Sequence, residues 1–154
     1  MRKRGFERIS RYGADIRLPE RKTAASAGYD IEAATDVTIA PGETVLVPTG
    51  LKAYMQPGEV LVLAIRSSLA AKRGLCLANG IGVIDADYYD NPSNEGHIQI
   101  AIRNGGTETV ALAKGERIAQ GLFLPYLTVD GDEAGVGAAR TGGFGSTNPA
   151  EEQR

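Results

Sequence analysis

The sequence predicts an all-β fold, and three observations lead to this prediction. Turn signals at Pro41-Gly42 and Pro57-Gly58 divide the first half of the chain into short apolar stretches. The segment from His97 to Arg103 alternates polar and apolar residues and places three isoleucines on one face. Turn signals recur about every 8–12 residues, which is typical of a β-sandwich or β-barrel.

Predicted strands follow one another along the chain with short turns between them. They are residues 15–19, 37–39, 44–47, 50–55, 60–65, 97–103, 107–113 and 117–124. The first alternates polar and apolar residues and stops at Pro19, whereas the continuous apolar run 60–65 suits a buried strand. Residues 67–73 form the one predicted short helix, with a serine as the candidate N-cap and Gly74 beyond its end.

The chain of 154 residues is most simply one domain followed by an arm. After Leu127 the composition changes, and six glycines lie between residues 131 and 145 with almost no core-forming side chains. We therefore expect a single β-domain at residues 1–127 and a flexible arm at residues 128–154. Phe144 lies among these glycines, so the arm is either a mobile tail or a segment that stacks on a planar ring.

The charge is nearly balanced, with 17 Lys and Arg against 19 Asp and Glu, which gives no global reason to expect nucleic-acid or membrane binding. The single cysteine, Cys76, excludes an internal disulfide, and its apolar neighbours predict a buried, inert thiol. The single histidine, His97, is predicted to be an exposed strand residue rather than a general base. With no signal peptide and no apolar run of membrane-spanning length, we expect a soluble protein of the cytoplasm.

The stretch from Asn79 to Tyr88 is an apolar run with two glycines that ends in two carboxylates and a tyrosine. Val83 and Ile84 are expected to anchor it in the core. If the segment is extended, Asp85 and Asp87 share one face. Taken alone, the stretch is typical of a strand that runs into an acidic turn.

A second polar segment, Arg66 to Lys72, follows the apolar run 60–65 at a predicted strand-to-helix junction. Its arginine, its two hydroxyls and the free N–H groups of the helix start suit a local phosphate site. The alternative is a plain helix N-cap, which needs no ligand.

Five segments resemble, in order and approximate spacing, the motifs of the homotrimeric dUTP pyrophosphatases. They are AGYD (27–30), RSSLAAK (66–72), GVIDADY (82–88), GERIAQ (115–120) and GGFGST (142–147). The resemblance implies a jelly-roll-like distorted β-barrel, a homotrimer with active sites at subunit interfaces, and hydrolysis of dUTP to dUMP and pyrophosphate with Mg²⁺. In the family this reaction limits uracil incorporation into DNA and supplies dUMP for dTMP synthesis.

The same resemblance implies roles for residues of the β-domain. Asp85 is implied to orient and activate the water that attacks the α-phosphorus. Asn79 and the backbone at Gly82 and Val83 are implied to bind the uracil edge, and Tyr88 to pack under the deoxyribose and exclude a 2′-hydroxyl. The residues implied to contact the triphosphate are Arg66, Ser67, Ser68 and Gln120.

The arm and the metal have implied roles as well. In the family the arm comes from a neighbouring subunit, so Phe144 would stack on the uracil of another chain. The arm residues implied to close over the substrate are Arg140, Gly145, Ser146 and Thr147. Phosphate oxygens and waters would be the main ligands of the metal, and Asp30 would act on it indirectly or have a structural role.

The sequence departs from the family pattern at several places, where among others Arg140 lies one residue nearer to GGF and Asn148 replaces a usual glycine. Ile65 and Ser68 stand where the family usually has proline and glycine, and the insertion Asp90 to Glu95 separates Tyr88 from Gly96. A longer surface hairpin is the simplest reading of the insertion. The alternative is a lid or a contact surface for a regulatory protein partner.

Two other functions are the alternatives to the pyrophosphatase. The dCTP deaminases look similar in fold and also carry an RSSLA segment, but Ala101 stands where that family has its catalytic glutamate. A nucleotide-binding regulatory protein of the same fold is the other rival. The intact Asp85 argues against a loss of catalysis.

Overall fold

The computed structural model describes residues 1–133 and 139–145. Its strands are β1 (Gly5–Arg8), β2 (Tyr29–Glu32), β3 (Val37–Ile39), β4 (Thr44–Pro48), β5 (Leu51–Tyr54), β6 (Glu59–Ile65), β7 (Leu75–Leu77), β8 (Gly82–Asp85), β9 (Gln99–Asn104), β10 (Val110–Leu112) and β11 (Arg117–Pro125). Helix α1 (Ser67–Arg73) is the one α-helix in this part of the chain, and a 3₁₀ helix (Ala86–Tyr88) follows β8. The prediction of an all-β fold is confirmed. Within the described ranges, no helix is both long and apolar enough to cross a membrane.

The strands pair in antiparallel fashion to form two larger sheets and two strand pairs. One large sheet has the order β2-β11-β6-β8, the other has the order β4-β9-β7, and β1 pairs with β5 and β3 with β10. Leu61 and Leu63 of the first sheet and Ile100 and Ile102 of the second belong to one buried cluster. The two sheets therefore enclose a single core, and the hydrophobic effect of that burial holds them together.

Strand β9 and helix α1 follow the sequence pattern most closely. Ile98, Ile100 and Ile102 are each at most 3 % exposed, as the alternation predicts. Gly74 ends α1 in the left-handed conformation with φ of 67°, which glycine adopts without a Cβ penalty. The predicted serine N-cap is wrong, because Arg66 is the N-cap residue and makes no side-chain capping bond.

Four predictions about strands and buried residues are corrected by the structure. Residues 15–19 form no strand, because Ile16 is a single buried side chain within a turn. The run 60–65 is buried only at alternate positions, since its other side chains face outward from the sheet. Val83 is 54 % exposed and does not anchor the core, whereas Ile84 packs against it. The predicted strand 107–113 shortens to Val110–Leu112.

Cys76 is exposed, contrary to the prediction of a buried thiol. It is the central residue of β7, whose flanking residues Leu75 and Leu77 are buried. Because side chains alternate across a strand, the same geometry that buries both leucines turns the thiol outward.

The prediction that His97 is an exposed strand residue is also wrong, because His97 is 1 % exposed and precedes β9. Its Nε2 accepts a hydrogen bond of 2.9 Å from the backbone N–H of Gly50. Burial, together with the neighbouring guanidinium of Arg11, lowers the pKa of His97 to about 4. A neutral imidazole keeps the acceptor that the Gly50 N–H needs, so His97 is a structural residue of the core.

Candidate active site

A cleft opens between the two large sheets, next to the turn that joins β7 and β8. Gly80 has φ of 80° in that turn, a conformation that favours glycine. Gly82 lies against Leu63, and a Cβ at position 82 would stand 2.9 Å from the Leu63 Cβ. Glycine therefore lets β8 pair closely with β6 at the start of the cleft. The predicted site residues that line this cleft are Asn79, Gly82, Val83, Asp85, Tyr88, Arg140 and Phe144.

The carboxylate of Asp85 lies at the end of β8, with its side chain 53 % exposed. Arg140 Nη2 donates a hydrogen bond of 2.7 Å to Asp85 Oδ2, and Arg140 Nε donates one of 2.7 Å to Asp87 Oδ1. Asp87 belongs to the 3₁₀ helix and not to the strand, so the two aspartates are not alternate residues of one extended segment. One guanidinium nevertheless brings both carboxylates together, which places an anion-binding group directly beside Asp85.

Tyr88 forms one wall of the cleft and is 7 % exposed. Its hydroxyl donates a hydrogen bond of 2.8 Å to the carbonyl of His97, and burial raises the pKa of the phenol. Gly143 of the arm lies on the ring, because a Cβ at position 143 would stand 2.7 Å from Tyr88 Cε2. Phe144 follows with its side chain 68 % exposed at the cleft. The cleft thus has one buried and one exposed aromatic ring.

A second, polar cleft lies where β2, β11 and the end of β6 meet. Its polar and glycine lining is Lys22, Ser26, Gly28, Asp30, Arg66, Ser67, Arg117 and Gln120. Arg117 Nη1 donates a hydrogen bond of 3.1 Å to Asp30 Oδ2. Three cationic side chains against one carboxylate suit a bound anion. The sequence analysis missed two of these cations: Arg117 lies inside the GERIAQ segment and could have been found there, whereas Lys22 carries no local signal.

The two clefts lie toward opposite edges of the same sheet, the first at β8 and the second at β2 and β11. In the β11–β6 pairing, Leu122 is opposite Val62 and Gln120 is opposite Ala64, whereas Leu63 is opposite Gly121. Paired residues share a face and alternate residues of a strand do so too, so Asp85, which is opposite Val60, lies on the same face of the sheet as Gln120. Asp85 lies beside the start of β6, whereas Gln120 lies beside its end and Arg66 follows that end. The structure therefore divides the predicted site residues into two separate groups.

Among the described residues, two predicted site residues, Ser68 and Gly145, line neither cleft. Ser68 is the second residue of α1 and is partly buried next to Ser67. Gly145 follows Phe144 in the arm. Ser146 and Thr147 lie outside the described residues.

No group of three or more His, Cys, Asp or Glu side chains that could hold a metal ion occurs within residues 1–133 and 139–145. A cation bound at either cleft would therefore need most of its ligands from a bound molecule and from water.

Comparison with known proteins identifies the family. A sequence model of the dUTPase family matches residues 14–148. The chain belongs to the dUTPase family. It is 57 % identical over 148 residues to the deoxyuridine 5′-triphosphate nucleotidohydrolase of Lactococcus lactis, covering 96 % of this chain and 99 % of the relative. The corresponding protein of Desulfitobacterium hafniense is 44 % identical over 140 residues, covering 85 % of this chain and 87 % of the relative.

Solved dUTPase structures share the fold. The dUTPase of Streptococcus mutans superimposes with a TM-score of 0.79 at 54 % identity, covering 82 % of this chain and 99 % of that one. A dUTPase from phage phi11 of Staphylococcus aureus, described with a structural Mg(II) ion, superimposes with a TM-score of 0.71 at 23 % identity, covering 86 % and 97 % of the two chains. The predicted jelly-roll-like fold is confirmed by this similarity to other dUTPases.

Proposed function

We propose that this protein hydrolyses dUTP to dUMP and pyrophosphate. The observation that carries the proposal is the first cleft, where Asn79, Asp85 and Tyr88 line one cavity within a dUTPase-family chain. An amide, an accessible carboxylate and a buried aromatic ring are the groups that a base, an attacking water and a sugar require. Removing dUTP in this way would limit uracil incorporation into DNA and supply dUMP for dTMP synthesis.

Asp85 is the proposed base that orients the attacking water. Phosphoryl transfer depends on a positioned nucleophile and on neutralised charge rather than on covalent help from the protein. The exposed carboxylate at the end of β8 can hold a water for in-line attack on the α-phosphorus and accept its proton. Arg140 contacts that carboxylate, and a phosphate entering the cleft offers its guanidinium an alternative partner.

Base and sugar selectivity are proposed to arise on either side of Asp85. Asn79 and the backbone at Gly82 and Val83 would hydrogen-bond the uracil edge, so cytosine is rejected by mismatched donors and acceptors and thymine by its methyl group. Tyr88 would pack under the deoxyribose and leave no room for a 2′-hydroxyl. Phe144 would stack on the uracil, with Gly145, Ser146 and Thr147 continuing the arm over the phosphates.

Mg²⁺ is the proposed cofactor, and it would neutralise charge on the triphosphate. Phosphate oxygens and waters would be its main ligands, which fits a described chain without a carboxylate or histidine cluster. Asp30 is paired with Arg117, and this pairing favours a structural or water-mediated role for Asp30.

The expected result of a substrate panel is pyrophosphate release from dUTP with Mg²⁺, and release at least about a hundredfold slower from dTTP, dCTP and UTP. Chelation of the metal should suppress the reaction with dUTP. Pyrophosphate and ammonia are measured separately for each nucleotide. Ammonia from dCTP would instead indicate a deaminase, and nucleotide binding without any product would indicate a regulatory protein.

A homotrimer is proposed because one chain does not complete the site. The polar cleft with Arg66, Ser67 and Gln120 lies beyond the end of β6, whereas Asp85 is opposite Val60 near the start of that strand. The extended chain from Val60 to Arg66 spans roughly 20 Å, which is longer than a triphosphate. A triphosphate held by both groups must therefore lie between two copies of the chain. Ser68, adjacent to Ser67 on α1, would extend the triphosphate-binding segment.

Mixed oligomers test this arrangement directly. Asp85→Asn and Arg66→Ala chains are each expected to be nearly inactive, but co-refolding them in equal amounts should restore about a quarter of the sites, because random assembly joins an intact Asp85 to an intact Arg66 with that frequency. As a matched control, Asp85→Asn mixed with Asn79→Ala should restore nothing, since both residues line the same cleft of one chain. Failure of the first mixture to recover activity would refute shared sites.

A contact surface for a regulatory partner stays the alternative interpretation of the insertion Asp90 to Glu95. The cytoplasmic location of the protein stays a prediction. Asp90 and Glu95 both bond Lys52 of their own chain, and Asn91 is 4 % exposed. These contacts turn much of the insertion toward its own domain.

A further inference from the structure

The insertion Asp90 to Glu95 packs against its own domain behind Tyr88 and is not a projecting hairpin. It forms successive turns between the 3₁₀ helix and β9. Asp90 and Glu95 have positive φ values of 54° and 64°, which residues other than glycine rarely adopt. A conformation of this kind persists where surrounding contacts impose it.

Ionic contacts hold the insertion to the domain. Lys52, which is 8 % exposed, is paired with Asp90 and donates a hydrogen bond of 2.9 Å to Glu95 Oε1. Burial by itself lowers the pKa of Lys52, but these two carboxylates outweigh it and raise that pKa above its ordinary value. Ser10 Oγ donates a further hydrogen bond of 2.7 Å to Glu95 Oε2, and the bonds from Ser10 and Lys52 lower the pKa of Glu95 to about 2. The insertion is therefore anchored at both ends.

Within the insertion, two asparagines hold Tyr88 at two atoms. Asn91 Nδ2 donates a hydrogen bond of 2.8 Å to the Tyr88 carbonyl, and Asn94 Nδ2 donates one of 2.8 Å to the Tyr88 hydroxyl. The hydroxyl in turn donates to the His97 carbonyl. The phenol oxygen thus has an acceptor for its proton and a donor for its lone pair, and rotation of the ring out of this position would break both bonds.

The direction of the Asn94 amide is determined by its other contacts. Asn94 Oδ1 accepts hydrogen bonds from Gly96 N at 3.0 Å and from Asn91 Nδ2 at 2.7 Å. Because the oxygen faces these two donors, the amide nitrogen faces the Tyr88 hydroxyl. No feature of the five motif segments pointed to Asn94.

We infer that Asn94 is a positioning residue for sugar selectivity, which fixes the Tyr88 ring through its hydroxyl at the place from which the ring excludes a 2′-hydroxyl. The inference rests on the proposed function, in which Tyr88 packs under the deoxyribose. Tyr88 is held on one side by the insertion and covered on the other by Gly143 of the arm. The insertion thereby acts on the nucleotide through Tyr88, without touching the nucleotide itself.

The test is the ratio of kcat/KM for dUTP to kcat/KM for UTP in the full-length protein. Asn94→Asp keeps an oxygen for Gly96 and Asn91 but replaces the donor that faces Tyr88 by an acceptor. It is expected to lower the ratio about three- to tenfold, which corresponds to the loss of one hydrogen bond. The main cause should be a higher kcat/KM for UTP. Tyr88→Phe removes only the oxygen that Asn94 holds and should lower the ratio to a similar extent. In the Tyr88→Phe background, Asn94→Asp should then have no further effect on the ratio.

Asp90→Asn is the matched control, because the Asp90 side chain lies in the same insertion but bonds Lys52 instead of Tyr88 or Asn94. It is expected to lower thermal stability and to leave the ratio unchanged within about twofold. An unchanged ratio in Asn94→Asp, or in Tyr88→Phe if the Asn94 variant does not fold, would overturn the inference while the proposed function stands. An equal loss of selectivity in Asp90→Asn would overturn it too. A wild-type protein that does not hydrolyse dUTP would overturn the proposed function and this inference with it.

Discussion

The Asp85→Asn variant is expected to lose dUTP turnover by about a thousandfold while it keeps its fold and its affinity for the nucleotide. The amide has the shape of the carboxylate but cannot take the proton of the attacking water. Asp85 lies at the exposed end of β8 and outside the buried core, so the substitution removes no packing. Single-turnover kinetics measure the chemical step, and binding of a non-hydrolysable dUTP analogue measures the affinity.

Asp87→Asn is the matched control for this prediction. Asp87 is also an exposed aspartate, 61 % against 53 % for Asp85, and it also bonds Arg140. Neutralising it removes the same charge and the same kind of ion pair, yet it should change turnover by less than about tenfold, because exposed ion pairs contribute little. Equal losses of turnover in both variants would mean that the reaction depends on negative charge near Arg140 and that Asp85 does not act as a base. Undiminished hydrolysis by Asp85→Asn would exclude the proposed mechanism.

Local sequence patterns were sufficient to predict the features that depend on neighbouring residues in the chain. The alternation in β9 and the glycine that ends α1 both appear as predicted, because strand and helix periodicity are properties of adjacent residues. Asn79, Asp85 and Tyr88 line one cleft because they follow one another in the turn after β7, in β8 and in the 3₁₀ helix.

Features that depend on contacts between distant segments were missed. Lys52 and the insertion are far apart in sequence, and nothing local predicts that Asp90 and Glu95 bury a lysine. His97 reads as one position of an alternating strand, but the insertion before it ends in turns that place the imidazole against Gly50. The predicted strand at residues 15–19 is wrong for a related reason, because one buried isoleucine in a loop produces the same short alternation as a strand.

A chain that ends at Ala139 is expected to lose about a hundredfold in dUTP turnover, while its thermal midpoint changes by no more than a few degrees. The arm contributes Arg140, Gly143 and Phe144 to the cleft, and displacement of groups that position a substrate is costly to the rate. The buried core cluster ends at Ala119, so removing the arm uncovers almost no core. Steady-state kinetics and thermal unfolding of the same preparation separate the two effects.

A chain that ends at Asn148 is the appropriate control, because it keeps GGFGST and ends where the match to the dUTPase family model ends. It should turn over dUTP at the rate of the full-length protein. If the chain that ends at Ala139 lost stability in proportion to its activity, the arm would be a stabilising part of the fold. Full activity of that chain would show that Arg140 and Phe144 lie at the cleft without contributing to closure. Only loss of turnover with an intact fold is consistent with an arm that acts by covering the nucleotide.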